Sequence, residues 1–168
     1  MKKVFLGIGT NLGNRENNLK EAIVRIEEYI GPVVKSSSVY ITEPWGFQTE
    51  DEFFNMVIKV ETKLTPSGLL GRILMIESLS GRVRVEKQYL SRVIDIDILL
   101  YEDMIANEKS LKIPHPLMHE RRFVMVPLCE IEPDIVHPVL KKPISSLLES
   151  CKDKSKVLPH SSPLSAKL

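Results

Sequence analysis

The chain has 168 residues, 43% of them hydrophobic, and its 23 Lys and Arg balance 22 Asp and Glu to a formal net charge of +1. That length makes one compact domain with a sizeable core the default, and the even balance excludes the global basic field of a bulk nucleic-acid or anionic-membrane binder. Cys129 and Cys151 are too few for a disulfide framework and show no CxxC or Cys/His metal spacing, which suits a reducing cytoplasm, while the short apolar run after Met1-Lys2-Lys3 predicts neither a signal peptide nor a membrane span.

Residues 3–8 predict a strand that breaks into a glycine turn over Gly7-Ile8-Gly9-Thr10-Asn11-Leu12-Gly13. Gly7-x-Gly9 invites a dinucleotide reading, but Gly13 falls one residue late for the fingerprint, and no GxxxxGK[ST] stretch exists. Leu19, Ala22, Ile23, Ile26, Tyr29 and Ile30 then recur at helical spacing until Gly31-Pro32. Residues 33–41 and 53–62 read as two strands joined by a polar, turn-rich segment. Thr65-Pro66-Ser67 supplies an N-cap and a first-turn proline for a second helix carrying Leu69, Leu70, Ile73, Leu74 and Ile76, which ends near Gly81. The final strand spans residues 92–101. This order predicts an α+β, ferredoxin-like βαββαβ core: an antiparallel sheet with both helices on one face and the other face open to a ligand. The prolines after Tyr101 predict two or three short C-terminal helices closing one side. Residues 1–151 form the expected single domain, and the Ser, Lys and Pro of 152–168 predict a flexible tail.

Chemistry concentrates in the last strand. Ile94, Ile96 and Ile98 alternate with Asp95 and Asp97, so a strand sends the isoleucines into a core and both carboxylates to the opposite face. The two lie roughly 6.6 Å apart along the strand axis. Like charges so placed repel unless a cation sits between them, and hard oxygen ligands suit Mg²⁺; a solvated strand face is the plain alternative. Arg82, Arg84 and Arg92 precede the pair, and their planar forks suit phosphate, although a solvated basic loop would read the same way. His115 stands between Pro114 and Pro116, with Arg121 and Phe123 beyond it. Trp45, Phe47, Phe53 and Asn55 set aromatics beside an amide, a pattern that serves either a flat heterocycle or a capped core.

Together, the opening Gly-x-Gly-x-Asn-x-Gly, Thr42 with Pro44, Phe53-Phe54-Asn55, the Glu77 to Arg84 helix end, Arg92-x-x-Asp95-x-Asp97, Pro114-His115 and Arg121-x-Phe123 strongly resemble the 6-hydroxymethyl-7,8-dihydropterin pyrophosphokinases of folate biosynthesis. The resemblance implies transfer of pyrophosphate from ATP, as co-substrate, to the pterin hydroxymethyl group with two Mg²⁺ ions and release of AMP. It implies Asp95 and Asp97 as metal ligands, and Arg82, Arg84 and Arg92 as catalytic groups that also hold phosphate. Glu77, Ile98, His115 and Arg121 would lie around the nucleotide. Thr42, Trp45, Phe53, Asn55, Asp95 and Phe123 would form the pterin site, Phe53 and Phe123 flanking the ring. Tyr89-Leu90-Ser91 stands where the family usually shows Trp-Gly-Pro, which bears on how the loop of residues 81–91 bends. The implied partners are small-molecule substrates, with no nucleic acid, membrane or obligate protein partner. Competing classes are a regulatory ferredoxin-like module and an RNA-binding domain; the latter lacks aromatic RNP strands and a basic sheet face.

Overall fold

A computed structural model describes residues 1–44, 52–81 and 93–160. The chain runs β1 (Lys2–Thr10), α1 (Arg15–Tyr29), β2 (Val33–Ser36), β3 (Tyr40–Thr42), β4 (Phe53–Thr62), α2 (Pro66–Leu79) and β5 (Asp95–Tyr101). A two-residue hairpin pair follows, β6 (Ala106–Asn107) and β7 (Lys112–Ile113), then a 3-10 turn at Met118–Glu120, α3 (Arg122–Ile131), α4 (Ile144–Glu149) and β8 (Val157–Pro159). The main sheet has the order β5-β1-β4-β3-β8, with β2 also on β4, and all its pairings are antiparallel.

Local chemistry explains the boundaries. Asn14 caps α1 by accepting from Asn17 N–H at 3.0 Å, and Thr65 caps α2 by accepting from Gly68 N–H at 3.1 Å, with Pro66 in the first turn. Gly31 ends α1 where a Cβ would lie 2.0 Å from the Glu61 carbonyl oxygen, so only glycine fits. The strand expected over residues 33–41 is two strands. Between them Ser37 keeps contact with β4 by a backbone N–H to Val57 O at 2.8 Å and by accepting from Val57 N–H with its hydroxyl at 2.9 Å. A side-chain oxygen thus replaces a ladder carbonyl while the chain bends.

Alternation along β1 splits the core in two. Val4, Leu6 and Ile8 join Ile96 and Ile98 beneath Leu19, Ile26, Leu69, Ile73 and Ile76 of α1 and α2. Phe5, Val57 and Leu99 face the other way and pack with Met118, Val124, Met125, Leu128, Ile144 and Leu147 around α3 and α4. Each fully buried side chain of this size contributes about 1.5–3 kcal/mol. The short C-terminal helices therefore cover part of the sheet's second face and leave the rest as a recess. Glu130 of α3 fastens this cover to the sheet edge by accepting from Ser38 N–H at 3.0 Å, Ser38 Oγ at 2.7 Å and Tyr40 OH at 2.5 Å.

The flexible tail expected from residue 152 is corrected for residues 152–160. Cys151 is buried, and β8 adds a strand at the edge of β3, with Val157 opposite Thr42. The reason is an unsatisfied sheet edge elsewhere in the fold, which gives a polar segment backbone partners. Residues 161–168 lie outside the described residues.

Candidate active site

Sheet register builds the floor of the recess. Across β1 and β5, Gly9 pairs with Asp95 and Gly7 with Asp97; across β1 and β4, Gly9 pairs with Asn55 and Gly7 with Val57. Asn55–Gly9–Asp95 and Val57–Gly7–Asp97 are thus two parallel rows on one face of the sheet. The glycines read from sequence as a turn lie inside β1, which runs on to Thr10. They are needed because the floor must be flat. A Cβ at Gly9 would come within 2.6 Å of Asn55 Oδ1. Asn55 Nδ2 donates to Thr42 Oγ1 at 2.7 Å, and both residues are buried, so the amide is fixed in position and orientation.

Two concavities meet on this floor. A narrow pocket is lined by Gly9, Thr42, Glu43, Phe53, Asn55, Arg121 and Phe123, together with Asp95 and Asp97. A wider cleft is lined by Leu70, Leu74 and Glu77 of α2, by Ile98, Lys109, Lys112 and His115, and again by Asp95 and Asp97. Among the described residues, the two aspartates are the pair common to both linings.

Strand β5 is held in place by a buried acid. Glu77, 2% exposed, accepts from Ile96 N–H at 3.1 Å, so it pins the peptide between the two aspartates. His115 is held by its own N–H, which donates to Leu99 O at 3.0 Å, and it follows a cis Ile113–Pro114 bond. Its Nδ1 accepts from Leu117 N–H at 3.2 Å, so the neutral ring carries its proton on Nε2. Burial, reinforced by the Arg121 guanidinium and opposed by Asp95, lowers its pKa to about 4. At neutral pH His115 is therefore an uncharged donor beside the cleft. Arg121 is 7% exposed, with its guanidinium 5.7 Å from the Phe123 ring centroid.

The structure brings Thr42, Phe53, Asn55, Asp95 and Phe123 together in the pocket, and Glu77, Ile98 and His115 in the cleft. Arg121, expected beside the nucleotide, lines the pocket, and its charge reaches His115 of the cleft from there. Trp45, Arg82, Arg84 and Arg92 lie outside the described residues, as does the loop around Tyr89. Glu43, Lys109 and Lys112 also line these concavities, and the sequence carries no signal for them because they read there as isolated surface charges. Gly7 and Gly9 did carry one, since glycines two apart within a strand mark close approach on one face.

As for metals, among the described residues no group of three or more His, Cys, Asp or Glu side chains gathers as a protein cage. Two carboxylates on one strand face fit Mg²⁺ well, because that ion is commonly held by one or two carboxylates plus phosphate oxygens and water. The donor set suits a hard cation shared with a phosphorylated substrate.

Residues 5–133 match the family model for 7,8-dihydro-6-hydroxymethylpterin-pyrophosphokinase. The chain belongs to this family. Its pyrophosphokinase relatives include the 2-amino-4-hydroxy-6-hydroxymethyldihydropteridine pyrophosphokinase of Aquifex aeolicus, 42% identical over 144 residues, covering 86% of this chain and 89% of the relative. The Bacillus subtilis protein of the same name is 38% identical over 128 residues, 76% of each. Among solved structures, wild-type Plasmodium falciparum HPPK-DHPS with SDX-DHP superposes with a TM-score of 0.71 at 20% identity, covering 89% of this chain. This chain spans 43% of that longer one, and the likeness speaks for the pyrophosphokinase fold alone.

Proposed function

We infer that this chain transfers pyrophosphate from ATP to the hydroxymethyl group of 6-hydroxymethyl-7,8-dihydropterin, releasing AMP, in folate biosynthesis. One observation carries the residue-level reading: Asp95 and Asp97 line both the pocket and the cleft, so any cation they hold touches both occupants. The pterin belongs in the narrow pocket. Phe53 and Phe123 supply aromatic walls, and Asn55, fixed by Thr42, presents a rigid amide to the ring edge. ATP belongs in the wider cleft, where Leu70, Leu74 and Ile98 give an apolar wall and Lys109, Lys112 and the Nε2–H of neutral His115 give donors.

The chain's own residues supply position and charge. Glu77 fixes the peptide between the aspartates, so their carboxylates are pre-set instead of ordered at each turnover. The pocket aims the hydroxymethyl oxygen at the floor, where the β-phosphorus of ATP must arrive in line. The new O–P bond forms there as the bond from the β-phosphorus to the α-phosphate oxygen breaks; AMP leaves with that oxygen, and the hydroxyl proton passes to solvent. Two Mg²⁺ ions at Asp95 and Asp97 would neutralise phosphate oxygens and polarise the attacking hydroxyl. Arg82, Arg84 and Arg92 are assigned to the phosphates with Arg121 at the pocket side. A cytoplasmic setting fits the free thiols Cys129 and Cys151. No helix among the described residues is long and apolar enough to cross a membrane.

The test is direct. Purified protein with ATP, Mg²⁺ and hydroxymethyl-dihydropterin should give AMP and pterin pyrophosphate in equal amounts, and leaving out any one of the three should stop it. Failure to form AMP with all three present overturns the assignment.

A further inference from the structure

The last described segment of the chain lies beyond the residues 5–133 that the family model matches, yet it touches both sides of the narrow pocket. Asp153 Oδ2 accepts from the backbone N–H of Arg122 at 2.9 Å, at the first residue of α3. That helix has no side-chain cap from its own N-cap residue, Arg121. A carboxylate 31 positions downstream therefore takes one of its orphan N–H groups and sets a negative charge at the positive end of the helix. The second oxygen accepts from Ser155 N–H at 2.9 Å, which keeps the carboxylate turned toward the helix. Burial pushes the Asp153 pKa up, but the hydrogen bonds from Ser155 and Arg122 outweigh it and leave the carboxyl below its ordinary value.

The same segment holds the opposite wall. Lys156 N–H donates to Glu43 Oε1 at 3.3 Å, and β8 pairs with β3 so that Val157 faces Thr42. His160 N–H donates to Val39 O at 2.8 Å, and its ring lies 4.7 Å from that of Phe54, the residue between Phe53 and Asn55. Arg15 also packs on Phe54, at 4.3 Å, so this buried ring is braced by two distant parts of the chain. Neither β3 nor α3, on which β8 packs, contributes a residue to the cleft lining.

We propose that Asp153 and the strand that follows it are positioning elements for the acceptor pocket. Asp153 sets the first turn of α3, and hence Phe123, while β8 and His160 set Thr42, Phe53 and Asn55 across from it. The inference rests on reading the pocket as the pterin site. It predicts selectivity: disturbing the segment should loosen the pterin and spare the nucleotide.

The experiment measures two dissociation constants on full-length variants: that of a non-hydrolysable ATP analogue with Mg²⁺, and that of hydroxymethyl-dihydropterin with the analogue saturating. Asp153→Ala should raise the pterin Kd about fivefold, the equivalent of the roughly 1 kcal/mol that a lost cap costs, and leave the analogue Kd within about twofold. Asp153→Asn keeps an oxygen that accepts from Arg122 and should restore most of the affinity. His160→Ala, remote from the helix, should raise the pterin Kd about threefold, beyond the twofold margin allowed for the analogue, with the fold intact by circular dichroism, which keeps the test open if Asp153→Ala folds poorly. Unchanged pterin affinity in Asp153→Ala and His160→Ala, or equal weakening of both ligands, overturns the proposal. If wild type binds the analogue but not the pterin, the pocket assignment falls, and this inference with it.

Discussion

Replacing Gly9 with alanine adds a single methyl at the centre of the site, and the structure fixes what it meets. The backbone accepts it, since Gly9 lies within extended β1. The new Cβ stands 2.6 Å from Asn55 Oδ1, against about 3.4 Å for ordinary contact, so the amide must retreat by the difference, 3.4 − 2.6, or about 0.8 Å. Asn55 is 9% exposed and tied to Thr42 at 2.7 Å, so that retreat strains a buried hydrogen bond. Leaving such a group unsatisfied costs about 1–3 kcal/mol, and alanine's advantage over glycine in a strand offsets about 0.5–1 of it. Stability should therefore drop by no more than about 2.5 kcal/mol (3 − 0.5), whereas pterin affinity, if Asn55 reads the ring edge as proposed, should fall about tenfold to hundredfold. Calorimetric titration of the pterin with a saturating ATP analogue reads this, and the analogue's own affinity serves as control. A double-mutant cycle isolates the cause: in an Asn55→Ala background the same methyl keeps an ordinary contact with the Phe54 carbonyl oxygen at 3.9 Å and should cost no further affinity. If Gly9→Ala binds pterin within twofold of wild type, or if its cost persists without Asn55, the pocket floor is not set by the Gly9–Asn55 approach.

Two further outcomes follow from the same geometry. Asp95→Asn and Asp97→Asn should each lower kcat by about 10²–10³ or more without loss of thermal stability, because they remove the carboxylates proposed to hold Mg²⁺ against phosphate while relieving like-charge repulsion; EDTA should abolish wild-type turnover and excess Mg²⁺ restore it, and a retained rate in either variant would count against metal ligation. Stability should also fall as pH drops. His115 has a folded pKa of about 4, below its ordinary value of 6.5, so the unfolded chain binds its proton first. The contribution is present above pH 6.5, is lost as pH falls to about 4, and amounts to at most about 3 kcal/mol. Urea unfolding of wild type and His115→Gln at pH 7 and pH 4.5 checks it, the variant showing the shallower loss; parallel losses would refute it.

The sequence carried the fold's local grammar. Thr65 and Pro66 marked the start of α2 because capping and a fixed φ act within one turn. Ile94, Ile96 and Ile98 put Asp95 and Asp97 on the opposite face because strand period is a property of adjacent residues. The break at Ser37 was hidden, since a hydroxyl replacing a ladder carbonyl depends on Val57 being alongside. Lys109 and Lys112 were equally hidden, being ordinary surface charges until the fold sets them beside the aspartates in the cleft.

By itself, then, the sequence determined the order of the βαββαβ core, the paired carboxylates and the family, because these rest on short-range stereochemistry and on spaced motifs. Tertiary structure decided the rest: that Gly9 lies between Asn55 and Asp95, that the two aspartates line both the pocket and the cleft, that Arg121 turns to the pocket, and that residues 153–160 form part of the pocket's frame. Those facts depend on which strand edge and which helix end were left with unsatisfied backbone groups. Only chain closure, which brings residues 9, 55, 95, 122 and 153 into one neighbourhood, can determine that.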